Sequence, residues 1–226
     1  MTRPSVRSCL RACVLGGAVV VASAGVARAD SDTELWSEFG VRGEVVEDLD
    51  IGLDLYVRAT DDMSELQQVS PELYARWKIK KWLRLDGGYR LVHARSKDAF
   101  EDVHRFYAGP RFRLREGRFT GELRTRWQQE FRFDPGPTAS RQTWRTKLEA
   151  SVNTGDGFAP YGSWEIFTRV ADSPDAPAIF AHKWRAVVGL EYGFDAQSFQ
   201  FFYALEARFS KDRQSHIFGV SYHWSF

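Results

Sequence analysis

Residues 118–133, RFTGELRTRWQQEFRF, separate cleanly by parity. Phe119, Gly121, Leu123, Thr125, Trp127, Gln129, Phe131 and Phe133 take one set of alternate positions. Arg118, Thr120, Glu122, Arg124, Arg126, Gln128, Glu130 and Arg132 take the other. A helix would spread those charges around its circumference, whereas a strand puts them all on one side, so this is a long strand with an apolar and a charged face. The same alternation recurs in KWRAVVGLEYGF, with Trp184, Ala186, Val188, Leu190, Tyr192 and Phe194 on one side. It recurs again in FQFFYALEARF and in SRQTWRTKLEASV, where Trp144, Leu148, Ala150 and Val152 oppose Arg145, Lys147 and Glu149.

Eleven such segments follow one another, at about 34–45, 50–60, 70–79, 82–93, 102–115, 118–133, 141–152, 160–170, 180–194, 198–209 and 215–226. Short connections near 47–49, 80–81, 116–117, 154–157 and 195–197 alternate with longer acidic or Pro-rich ones, DDMSELQQVS, ARSKDAFED, DPGPTAS and ADSPDAPA. Tight turns at one rim and longer loops at the other describe an all-β, antiparallel up-and-down transmembrane β-barrel of 10–12 strands. Ten or twelve is the expected number, since single-chain bacterial barrels are even. The first segment is then the doubtful member, because Trp36 falls on its charged parity. Pro110 cannot donate to a ladder and is expected to mark a bulge.

The chain opens with Arg3, Arg7 and Arg11, an apolar run VLGGAVVVASAGV, and small residues through Ala29. This is the layout of a secretory signal peptide, 1–29, cleaved after Ala29, with a barrel domain over 30–226. Both cysteines, Cys9 and Cys13, leave with it, so the exported chain has no thiol chemistry. Loss of four arginines takes the net charge from +1 to −3, which speaks against a nucleic-acid partner.

Two features favour lipid over a protein core as the surface met by the apolar parity. Trp77, Trp127, Trp144, Trp164, Trp184 and Trp224 all lie on that parity, mostly toward strand ends, where interfacial aromatics sit. The charged parity is rich in arginine matched by acids, including Arg84, Arg90, Arg105, Arg111, Glu122, Arg124, Arg126, Glu130, Arg145, Glu149, Glu165, Arg185 and Glu191. Such a set suits a lumen filled by an ion-pair network, or alternatively a narrow pore that prefers anions. At the end of the chain, Phe218, Val220, Tyr222, Trp224 and Phe226 alternate up to the last residue. That arrangement resembles the signal by which outer-membrane barrels are recognised by the assembly machinery. The expected address is therefore the outer membrane of a Gram-negative bacterium, with its lipid and that machinery as partners and no cofactor or metal.

A hydrolase is the third alternative. His223 and Ser225, in HWS, resemble the His-x-Ser pair of lipid A deacylase barrels. That family's acidic partner lies further along, where this sequence stops at Phe226, so the triad is expected to be incomplete. ELWSEFGVRGEV, the hairpin PELYARWKIKKWLRLDGGYRLV, HRFYAGPRFRL and HIFGVSYHWSF together resemble a bacterial family of predicted outer-membrane barrels that is known only as a domain of unknown function. The resemblance implies a barrel in the outer membrane and transfers no catalytic or ligand residue. Within the hairpin, Lys80–Lys81 is expected to turn the chain. Tyr74 or Trp77 is expected to lie across Gly87–Gly88, and Arg90 and Arg105 to face inward on adjacent strands.

Overall fold

Period-two alternation produces eleven strands, which a computed structural model resolves over residues 30–96, 99–132, 139–170, 179–210 and 213–226. They are β1 Asp30–Val46, β2 Leu49–Thr60, β3 Glu65–Lys80, β4 Leu83–Ser96, β5 Ala99–Glu116, β6 Phe119–Arg132, β7 Ala139–Val152, β8 Phe158–Val170, β9 Ile179–Phe194, β10 Gln197–Arg208 and β11 Arg213–Ser225. Each strand pairs antiparallel with its neighbour in sequence, and β1 meets β11 to close the barrel. The proposed signal segment lies outside the described residues.

The odd number is resolved by the seam. β1 and β11 pair in parallel, in continuous register from Asp30↔Arg213 to Arg42↔Ser225. The even count expected from the sequence is thus wrong, and so is the doubt about the first segment, which is a full wall strand. Trp36 lies on the charged parity because it points into the barrel, where Arg58 stacks on its ring at 3.8 Å. The last residue is tied down as well. Phe226 N donates to Arg42 O at 3.0 Å, and the Phe226 ring occupies the space beside Gly43 where a side chain would stand.

Tight turns at one rim follow from residues that tolerate a left-handed backbone. Asp48, Gly117 and Asp195 have φ of 66°, 58° and 49°, which Asp and Gly adopt most readily. The β3–β4 turn falls at Lys81–Trp82, one residue later than the sequence suggests. At the opposite rim the strands reach further than their alternation. Most of DDMSELQQVS belongs to β3, and ARSKDAFED is strand on both sides of 97–98. Charged residues there obscure the period-two signal without ending the ladder.

Pro110 makes no bulge. Leu85↔Pro110 keeps step with β4, and Ala108↔Trp127 and Arg111↔Arg124 hold a single register with β6 on either side of it. Two ladder positions are skipped instead. Gly109 lets β6 come close, since a Cβ there would collide with Thr125 O and lie 2.8 Å from Arg126 Cα. A real register shift occurs on β9, between Phe167↔Lys183 and Thr168↔Ala181. It leaves His182 as the extra residue and turns both His182 and Lys183 inward.

Candidate functional site: the charged interior

The inward parity surrounds a cavity of about 1370 Å³ lined by eighteen Arg and Lys side chains and eleven Asp and Glu side chains. All thirteen residues expected in the charge network lie on this lining: Arg84, Arg90, Arg105, Arg111, Glu122, Arg124, Arg126, Glu130, Arg145, Glu149, Glu165, Arg185 and Glu191. The structure adds their partners.

Two carboxylates act as hubs. Asp86 on β4 meets Arg111 at 2.6 Å, Arg76 at 3.4 Å and Arg126 at 4.0 Å. Glu165 on β8 meets Arg145 at 3.0 Å, Arg124 at 3.5 Å and Arg185 at 3.7 Å, and so ties together β6, β7, β8 and β9. Arg185 continues to Glu206 on β10 at 2.6 Å, which Lys183 also reaches at 3.0 Å. Near the other wall Arg90 pairs with Glu72, whose other oxygen accepts from Tyr107 Oη at 2.6 Å. Arg105 holds Glu130 at 2.8 Å, and Arg111 and Arg113 share Glu122 at 3.2 and 3.0 Å. Buried carboxylates and guanidiniums are stable only when matched in this way.

The aromatic part of the site is not evident from parity alone. Arg90 lies over Tyr56 and Arg126 over Tyr107, both at 3.7 Å. Trp36 takes Arg58 from β2 at 3.8 Å and Arg185 from β9 at 4.5 Å, so it bridges one wall to another across the lumen. Arg58 forms no ion pair among the described residues, so Trp36 is its principal neighbour. The available signal was Trp36 itself, a large aromatic on a charged face.

Inward aromatics also fill the gaps left by glycines directly opposite them in register. Tyr74 covers Gly52, Tyr107 covers Gly88, Tyr161 covers Gly189 and Phe202 covers Gly219. Gly88 stands opposite Tyr74 on β3 and Tyr107 on β5, but the ring that lies across it is that of Tyr107, not of Tyr74, which turns over Gly52, nor of Trp77. Arg90 and Arg105 do stand directly opposite one another, on β4 and β5.

On the outer wall Trp77, Trp144, Trp164 and Trp224 are exposed, and Trp127 and Trp184 are half-buried. Trp77 and Trp224 sit at the short-turn rim. Trp127, Trp144, Trp164 and Trp184 each stand five or more residues in from either end of the strand that carries them, against the expectation that these tryptophans lie mostly toward strand ends. The rim aromatics are instead a run of neighbours, with ring centroids 4.6 Å apart for Phe158–Tyr192, 5.6 Å for Tyr192–Phe194, 6.0 Å for Phe194–Phe199 and 4.8 Å for Phe199–Tyr222. Phe218, Val220, Tyr222, Trp224 and Phe226 all occupy the outward parity of the closing strand and its end.

The carboxylate missing from the HWS pair comes from the other end of the chain. Glu38 Oε1 on β1 lies 3.0 Å from His223 Nε2. Ser225 Oγ is engaged separately, accepting from Arg42 Nε at 2.8 Å.

A family model described as protein of unknown function (DUF2490) matches residues 33–216, from β1 into β11. No curated protein matches the chain.

Proposed function

We propose, for a chain that belongs to the DUF2490 family, an integral outer-membrane β-barrel of a Gram-negative bacterium whose lumen is braced by an arginine–carboxylate network. One observation carries this reading: every strand presents an exposed apolar side chain outward. From β1 to β11 these include Phe39, Leu53, Leu73, Leu85, Phe106, Leu123, Leu148, Trp164, Val188, Phe201 and Phe218. Several stand beside one another across strands, as in Leu53↔Leu73, Leu123↔Leu148, Leu148↔Trp164 and Leu190↔Phe201. The apolar patches of water-soluble monomers rarely exceed roughly 300–600 Å². A closed wall with an apolar outside and a charged inside is the arrangement that lipid demands. The signal-like residues 1–29 and the closing strand fit export and handover to the barrel-assembly machinery.

The test is to express the whole precursor in a Gram-negative host. The processed chain should fractionate with the outer membrane, resist carbonate extraction and migrate differently on gels before and after boiling. Recovery as a detergent-free periplasmic monomer would overturn the reading.

A second reading is supported by the excess of cations over carboxylates on the cavity wall: a narrow conduit preferring small anions. In planar bilayers across a KCl gradient it gives single-channel steps whose reversal potential lies toward chloride. Absence of steps at every salt concentration leaves the braced, closed lumen.

A further inference from the structure

Among the described residues, one cluster of possible metal ligands stands apart from the arginine network. It lies over the parallel seam, and β1, β2 and β11 each contribute one side chain: Glu38, Asp54 and His223. One ligand atom from each lies within 4.8 Å of the other two. The backbone explains why they converge. Gly40 on β1 is in register with Asp54 on one side and His223 on the other. A Cβ at Gly40 would run into Asp54 Oδ1 and the His223 ring. The glycine thus opens a cradle into which both neighbours lean, while Glu38 reaches it from the same strand face two residues away.

Asp54 is only 6 % exposed, and its Oδ1 has no hydrogen-bond partner among the described residues. Its other oxygen accepts from Tyr56 Oη at 3.2 Å. A buried carboxylate oxygen without a donor is costly, and among the described residues Asp54 forms no ion pair with an arginine, unlike Glu72, Asp86, Glu122, Glu130 and Glu165. What the oxygen faces is a second carboxylate and an imidazole nitrogen. Among the described residues these three side chains pair with one another and with Tyr56, and with no arginine or lysine.

We propose that Glu38, Asp54 and His223 form a binding site for a divalent transition-metal ion of the zinc class, which clasps the two ends of the barrel wall. Two carboxylates and a neutral imidazole neutralise a dication, and mixed N/O ligation suits zinc-like ions better than calcium or magnesium. Zinc binds nitrogen and carboxylate oxygen at about 2.0–2.2 Å, which at tetrahedral angles sets neighbouring ligand atoms roughly 3.3–3.6 Å apart. His223 Nε2 and Glu38 Oε1 lie 3.0 Å apart, and all three ligand atoms fall within 4.8 Å of one another, so side-chain adjustment alone would close the set on an ion. The Tyr56 hydroxyl would orient that carboxylate from behind. A proton on His223 Nε2 leaves on binding, with the ring retaining its other proton on Nδ1. The fourth position opens onto the cavity and is left to water or a small anion. The site does not depend on what surrounds the barrel.

The experiment uses the untagged full chain folded in detergent, stripped with a chelator and dialysed against micromolar zinc chloride. The wild type should retain about one equivalent of zinc by elemental analysis, unfold at a higher temperature with zinc than without, and give visible ligand-field bands with cobalt(II). Asp54→Asn and His223→Gln should each lower retention at least tenfold, while His93→Gln, which alters the exposed His93–Asp102 pair, should not. Wild type that retains no zinc overturns the proposal whether or not the variants fold. So does a folded His223→Gln protein that retains a full equivalent.

Discussion

Glu165→Gln removes one charge and almost no volume, so it isolates what the carboxylate contributes to the interior. Glu165 is 4 % exposed and touches three guanidiniums. Deleting one member of a buried ion pair generally costs about 3–5 kcal/mol, because the charge left behind is no longer compensated. Here the lower end applies. Arg185 keeps Glu206 at 2.6 Å, and Arg145 keeps a hydrogen bond to Gln128 Oε1 at 3.4 Å. A loss of about 3 kcal/mol in a chain of this size lowers the unfolding midpoint by roughly 6–12 °C. The midpoint can be followed as the temperature at which the folded gel band gives way to the unfolded one. Glu116→Gln, at an exposed turn, should move it by no more than about 2 °C, given the roughly 0.5 kcal/mol expected of a surface change. Arg145→Gln combined with Glu165→Gln should restore part of the loss, since both charges of the closest pair are then gone. A Glu165→Gln midpoint equal to or above the wild type would refute the reasoning. Desolvation of the carboxylate would then outweigh its attraction to the arginines.

Two further outcomes follow from the wall. Gly109→Ala should prevent folding, because its Cβ meets the backbone of Thr125 and Arg126, neither of which can swing aside, whereas Gly121→Ala finds nothing within 4 Å and should fold with a midpoint at or slightly above wild type; equal yields of folded protein from the two would refute this. If the short turns face the periplasm, an epitope inserted at Asp62 should be labelled on intact cells and one inserted at Gly155 should not, and the reverse labelling would invert the proposed orientation.

Parity was the legible part of this sequence. Strict alternation located all eleven strands and assigned the charged side chains to one face, because a closed barrel gives each face a single environment over its whole length. Register was not legible. Which residue stands opposite which depends on the turns and bulges between them, so Tyr107 over Gly88 and Arg111 on Asp86 could not be read off. A single extra residue at His182 resets the parity of β9 without any glycine or proline to announce it. Pro110 gave the opposite error: it looked like a bulge, but Gly109 beside it allows the neighbouring strand to pass in register. The candidate metal site was the least visible, since Glu38 and His223 are separated by 185 positions. Only closure of the barrel brings them together.

Closure is also where the odd strand number has its effect. With eleven strands the first and last run in the same direction, and parallel ladders are slightly less stable per residue than antiparallel ones. They also cannot be joined by a tight hairpin, so nothing local in the chain holds β1 against β11. Side chains make up for this along the seam. Phe226 packs over Gly43, Arg42 donates to Ser225, and Glu38 and Asp54 meet His223 above Gly40. Each of these contacts joins the first strands of the chain to the last. The aromatic alternation at the end of the sequence, the HWS triplet and the glycines of β1 are therefore parts of one device. An ion held at its centre would make closing the wall depend on metal as well as on backbone pairing, at the one junction that lacks a turn.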